Sequence, residues 1–232
     1  MLERNAEKPP LRRVRSFVRR EGRLTEGQRR NLEALWPRFG VDMPGSAVDW
    51  PALFGRNAPL TLEIGFGAGE VLAQLAGEHP DRNFLGIEAY RNGVGRLLGR
   101  VQAAGLDNLR VLEGDAVELL DHGFADASLD TLLLYFPDPW PKKKHHKRRL
   151  VQTAFADRVA RVLKPGGLWR LATDWVQYAE WMREVLDDHP AFDNIGDRDG
   201  WVTRPPRPGT RFESRGLRRG HAVHDLAYRR RD

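Results

Sequence analysis

The residues able to do chemistry gather behind short apolar runs. The first run leads into Glu63-Ile64-Gly65-Phe66-Gly67-Ala68-Gly69. A dinucleotide fingerprint would place glycine at 65, 67 and 70, but position 70 is Glu. The loop is therefore of the E-x-G-x-G-x-G type. Its glycines let the backbone press against a ligand, and the helix that follows offers unpaired N–H groups. A carboxylate at Glu63 would repel a pyrophosphate but suits a ligand carrying an ammonium group. S-adenosylmethionine carries an ammonium, a carboxylate and a sulfonium. Glu88 closes the next apolar run, where an acid can accept from both ribose hydroxyls. Asp115 closes the third, within reach of an adenine amino group. Any one of these acids reads equally well as a solvated loop carboxylate; three behind a glycine loop argue for a cofactor cleft.

A second constellation is Leu134-Tyr135-Phe136-Pro137-Asp138-Pro139-Trp140-Pro141. Three prolines restrict the backbone around Asp138. Trp140 has the flat face that stacks on an unpaired base, although a buried Trp and a turn Asp are the plainer reading. Lys142, Lys143, Lys144, His145, His146, Lys147, Arg148 and Arg149 follow at once. A basic run beside a reacting loop favours phosphate contacts over a merely solvated face. The paired histidines show no spacing that demands a metal, and no metal is expected.

The elements that must position these groups follow from hydrophobic period and punctuation. Strands are expected at 60–65, 84–88, 109–115, 130–136 and 168–174, with a last one in 221–230. Helices are expected at 25–36, 69–79, 91–104, 148–163 and 175–188, the first stopping at Pro37. Residues 40–59 read as a linker. Near-continuous apolar strands alternating with helices imply a parallel α/β sheet, with ligands beyond the carboxyl ends of its strands.

Charge is unevenly spread. The 232 residues carry a formal +6, and three segments (1–38, 142–149 and 198–232) each carry +6. The remainder therefore stands at −12. Such an acidic body with basic segments points to nucleic acid as the partner. Residues 1–38 are expected as a basic, partly disordered arm with a short helix, and 39–232 as one domain. The chain has no cysteine, which excludes disulfides and thiolate nucleophiles. No apolar stretch approaches the roughly 20 residues of a membrane span, so a cytoplasmic protein is expected, either monomer or weak homodimer.

A methyl donor, a base-binding loop and phosphate contacts together suggest a nucleic-acid methyltransferase. Pyrimidine C5 generally needs a covalent thiolate, so a ring nitrogen with a free lone pair is favoured. Guanine N7 is one and needs no general base. Asp138 or Glu213 would stabilise the charge that develops on the purine and accept from its N1–H and N2–H groups. Two other classes stay open: an RNA-binding module that kept the fold, and another methyltransferase or an aminopropyl transferase acting on a small molecule.

EIGFGAGE, GIEAYRNGV, FPDPWPKKKHHKRR, LATDW and TRFESRGLRRGH, in that order over residues 60 to about 230, resemble the bacterial tRNA (guanine-N7-)-methyltransferase family. The resemblance implies the class I methyltransferase fold: a mostly parallel, Rossmann-like seven-stranded sheet, its last strand antiparallel, with helices on both faces. It implies methyl transfer from S-adenosylmethionine to N7 of guanine 46 in the tRNA variable loop. Glu63, Glu88, Asp115 and Asp138 match cofactor-binding positions, beside the loop glycines Gly65, Gly67 and Gly69. Asp138 also matches the residue usually named catalytic. Lys142, Asp174, Thr210, Arg211, Phe212 and Glu213 match substrate-binding positions, and Lys144–Arg149 the RNA-contacting run. Arg211 stands where the family usually has Lys, and Pro141 where several relatives have His. Without the resemblance, Asp174 reads as a helix N-cap and the Thr210–Glu213 stretch as a loop with a surface ion pair.

Overall fold

A computed structural model describes residues 16–17, 22–203, 209, 213, 220 and 222–232. The strands are β1 (Leu60–Ile64), β2 (Asn83–Glu88), β3 (Leu109–Glu113), β4 (Leu129–Tyr135), β5 (Leu163–Thr173), β6 (Phe192–Asn194) and β7 (His224–Arg230). They form one seven-stranded sheet in the order β3-β2-β1-β4-β5-β7-β6. β1 through β5 pair in parallel, and β7 inserts antiparallel between β5 and β6. The order reverses between β1 and β4, so their carboxyl ends open a crevice. β1 and β2 are buried along their whole length, as strands covered on both faces must be.

The helices are α1 (Glu26–Phe39), α2 (Trp50–Phe54), α3 (Glu70–Glu78), α4 (Arg91–Ala103), α5 (Ala116–His122), α6 (Thr153–Val162) and α7 (Val176–Asp187). One face of the sheet packs on α1, α3 and α4 through residues such as Leu32, Leu72 and Leu97. The other packs on α5, α6 and α7 through Leu119, Phe155 and Met182.

Several elements depart from their expected bounds. α1 runs through Pro37. The missing N–H costs a bond only in the last turn, where Gly40 N–H reaches Trp36 O at 2.7 Å and Phe39 is buried. The stretch expected as a linker holds α2, whose Trp50 is buried against Phe124. α5 was not expected, and β6 completes the seven strands that the resemblance implies at a place the sequence did not assign. The helix expected over 148–163 begins only at Thr153 as α6, and a separate 3-10 helix at Lys143–Arg148 precedes it.

Candidate active site

The glycine loop joins β1 to α3 with Gly65, Gly67 and Gly69 all at positive φ, 72°, 59° and 72°. Side chains are disfavoured in that region. α4 comes close behind the loop because Gly93 has no side chain. A Cβ there would lie 2.4 Å from Gly67 O and 3.0 Å from Glu88 Cγ.

Glu88 ties the two turns together. Its Oε2 accepts from Gly67 N–H at 2.8 Å and its Oε1 from Tyr90 N–H at 3.1 Å. It is 6% exposed. Burial raises its pKa, those backbone donors oppose the shift, and the nearby Asp138 charge adds to it. Glu63 is buried on β1. Two adjoining recesses share this floor. One, of about 900 Å³ with its open mouth, is lined by Gly65, Gly67, Glu88, Tyr90 and Asp138. The other, of about 790 Å³, adds Glu63, Glu70 and Arg96. Gly114 and Ala116 reach the first recess, while Asp115 Oδ1 accepts from Val117 N–H at 3.0 Å and caps α5.

The loop after β4 closes the far wall. Phe136 and Trp140 take positive φ, 52° and 44°, which is uncommon for bulky residues and strained. Asp138 between them stands at the rim, yet desolvation by the surrounding protein raises its pKa. Trp140 Nε1–H donates to Ser16 O at 3.0 Å, and Ser16 and Phe17 line the first recess. Arg148 stacks over the Trp140 ring at 4.7 Å and His145 meets it edge-on. A base stacking on Trp140 would have to take the other face or displace Arg148.

The basic run forms the 3-10 helix. Lys142, Lys143, Lys144 and Lys147 are exposed. His145, His146 and Arg148 are half-buried, and His146 Nε2 points inward. Arg149, expected to contact RNA, departs from that reading: it is 3% exposed and donates from Nε to Pro139 O at 3.0 Å. The segment turns toward the core at Leu150-Val151, and Arg149 turns with it. Asp174 is half-buried and does not cap α7. Trp175 holds the N-cap position, and its N–H bonds to Thr173 Oγ1 at 3.2 Å. Glu213 is buried; Thr210, Arg211 and Phe212 lie outside the described residues. Among the described residues there is no group of three His, Asp or Glu placed to hold a metal ion. No described helix is long and apolar enough to cross a membrane.

The structure brings Glu63, the loop glycines, Glu88 and Asp138 together. It adds Tyr90 and Phe136, which follow strand ends and were within reach of a sequence reading. It also adds Ser16 and Phe17, for which the only signal is an apolar residue inside an arginine-rich arm.

The family model described as "Putative methyltransferase" matches residues 57–226. A tRNA (guanine-N(7)-)-methyltransferase of Halorhodospira halophila is 56% identical over 95% of this chain and 96% of its own. One of Alkalilimnicola ehrlichii is 53% identical over 100% of this chain and 99% of its own. The chain belongs to the tRNA (guanine-N(7)-)-methyltransferase family. The fold is that of the class I methyltransferases. The 16S rRNA methyltransferase KamB superposes with a TM-score of 0.55 at 14% identity, over 82% of this chain and 99% of that one. An rRNA methylase of Streptococcus thermophilus does so with 0.52 at 11% identity, over 75% and 88%.

The cleft suits the family's methyl donor. A side chain on Gly93 would press on the loop at Gly67 O, and the buried carboxylates match a ligand with ammonium and hydroxyl groups. Gly93→Ala is expected to lower S-adenosylmethionine affinity at least about tenfold in calorimetry and to cost about 1–3 kcal/mol of stability by overpacking. Parental affinity would show that the close approach is not required. A raised folded pKa makes the Glu88 contribution to stability full below its unfolded value and lost as pH rises through the folded one. The melting temperature of Glu88→Gln relative to the parent, without donor, should therefore climb as pH rises from about 4 to 7. A flat difference would sink this.

Proposed function

We propose that this protein transfers the methyl group of S-adenosylmethionine to N7 of guanine 46 in the variable loop of tRNA, in the cytoplasm. The observation that carries the reading is one rim shared by two sites. The acid-floored glycine cleft opens onto Asp138, and the exposed lysines leading into the 3-10 helix begin four residues further on, at Lys142.

Glu63 would hold the ammonium end of the donor, Glu88 the ribose hydroxyls, and Asp115 the adenine amino group beside Gly114. When bound, the donor supplies a methyl carbon on a sulfonium, a leaving group that departs neutral. Guanine N7 is an unprotonated ring nitrogen near neutral pH, so the protein need not remove a proton to make it a nucleophile. Its task is alignment, which alone is worth several kcal/mol of barrier. As N7 takes the methyl group, positive charge appears on the purine. Asp138 at the rim, with Glu213, would offer a carboxylate to that charge and accept from N1–H and N2–H. A carboxylate whose pKa is raised by desolvation gains from a cationic neighbour, since the cation restores its preference for the ionised form. Lys142, Asp174, Thr210, Arg211 and Phe212 complete the substrate side of this reading. Lys144, Lys147 and Arg148 would meet phosphates, and residues 1–38 would act as a further basic arm, consistent with Ser16 and Phe17 at the cleft.

Asp138→Ala should reduce transfer to tRNA by more than about 100-fold, read as N7-methylguanosine by mass spectrometry of nucleosides, while donor binding falls much less. Methylation near the parental level would remove Asp138 from the mechanism, and a different methylated nucleoside from the parent would overturn the target. His145 has its pKa lowered, first by desolvation and then by Lys144, Arg148, Lys142 and Lys147. A polyanion relieves that repulsion, so binding takes up a proton. tRNA affinity should therefore strengthen as pH falls from about 7.5 to 5.5, and His145→Ala should flatten the trend. An equal slope in the variant would exclude His145 as its source.

A further inference from the structure

The loop from Phe136 to Pro141 is short of donors, because prolines occupy 137, 139 and 141. With so few backbone donors of its own, its shape depends on a small number of contacts. At its start Phe136 N–H bonds to Ala172 O at 2.7 Å, and at its end the Trp140 indole bonds to Ser16 O. Between these, next to Asp138, the Pro139 carbonyl accepts from Arg149 Nε at 3.0 Å.

Arg149 is set for that task by aromatic rings. Its guanidinium lies 5.0 Å from the Tyr178 ring centre and 5.4 Å from that of Trp181. Both rings belong to α7 and also grip the next turn of chain. Tyr178 Oη accepts from Val151 N–H at 3.3 Å, and Trp181 Nε1–H donates to Val151 O at 2.7 Å. Burial lowers the guanidinium pKa, and its Nη2 has no hydrogen-bond partner among the described residues. Burying a cation without a carboxylate partner is expensive, and an apolar side chain of similar volume would serve packing better. Stacking on two rings offsets part of that cost. What an apolar residue cannot supply is the donor to Pro139.

We propose that Arg149 is a positioning residue for methyl transfer: it fixes the Pro139 carbonyl, and through it the direction of the Asp138 carboxylate, and does not touch RNA phosphate. This rests on the reading of Asp138 as the group that meets the guanine. Arg149 differs in this from its exposed neighbour Lys147, which shares its charge and its segment but faces solvent.

The test uses the full chain, bulk tRNA and S-adenosylmethionine. kcat and KM for tRNA, and tRNA Kd across a salt series, are compared for the parent, Arg149→Lys, Arg149→Met and Lys147→Ala. Arg149→Met should lose about 10- to 100-fold in kcat, the scale of a misplaced catalytic group, with KM and the salt slope held. Arg149→Lys keeps the charge but not the planar fork and should also lose kcat, by a smaller factor. Lys147→Ala should weaken binding and reduce the salt slope by about one. In a double variant with Asp138→Asn, the loss should match that of Asp138→Asn alone, because the two act through one group. Should Arg149→Met fail to fold, Arg149→Lys and its double variant carry the test. The proposal is overturned if the Arg149 variants raise KM and flatten the salt slope at parental kcat, if kcat is unchanged, or if the two losses multiply. A parent that forms no N7-methylguanosine rejects the functional reading itself; a competent parent with any of those outcomes rejects only the role of Arg149.

Discussion

The Glu88 carboxylate is the interaction on which the site depends. One side chain accepts from the N–H of Gly67 in the β1–α3 loop and from that of Tyr90 at the start of α4. It thereby holds two strand ends, and the helices that follow them, in a fixed relation. The arrangement requires Gly93, since any Cβ there would strike the loop. It also requires positive φ at three glycines. Burial of the carboxylate works against stability, as its raised pKa records. An uncharged residue would spare that desolvation. A buried carboxylate acceptor is the feature a hydroxyl-rich, cationic ligand can use, so the constraint that shapes the cleft also gives it its chemistry.

The opposite wall follows a different logic. Prolines remove donors from the loop around Asp138, and positive φ at Phe136 and Trp140 stores about 1–3 kcal/mol at each end. Such a loop keeps its shape only if its surroundings over-determine it. They do so from three directions: β5 through Ala172, the 3-10 segment through Arg149 and the amino-terminal arm through Ser16. The glycine loop is adaptable backbone pinned by one acid. The proline loop is stiff backbone pinned by hydrogen bonds from several sides, donated to the carbonyls of Ala172 and Ser16 and accepted from Arg149. The glycine side thus offers close backbone approach, while the proline side keeps one geometry.

Much of this was legible in the residues, and the reasons differ by region. Strand–helix alternation is a periodic signal, and β1 through β4 lie near their expected places because each is built on a largely apolar run, while β5 begins at Leu163, ahead of the expected 168, because the Lys164–Gly167 stretch gives no apolar signal. Short elements carry no such signal. β6 has three residues, and α5 has seven that follow β3 directly. α1 passes Pro37 because tertiary packing of Phe39 outweighs one lost bond. The acids of the cleft were visible because their types and their places at strand ends agree. Arg149 was not, since a charge run reads as uniformly solvated until the fold shows which member turns inward. The contact of Ser16 with Trp140 spans 124 residues, and no local pattern encodes it.

The separation of charge takes its meaning from this geometry. The buried carboxylates of Glu63 and Glu88 floor the cleft, while the exposed lysines of the 3-10 helix stand on its rim beyond Asp138. A polyanion approaching the rim meets cations, but its phosphates are disfavoured at the acidic floor, where a sulfonium with its ammonium group is favoured. The two ligands of the proposed reaction are thus sorted by charge before any specific contact is made. Asp138 stands on the boundary between the two fields, and it is the point at which a neutral base from a polyanion could meet a cationic donor.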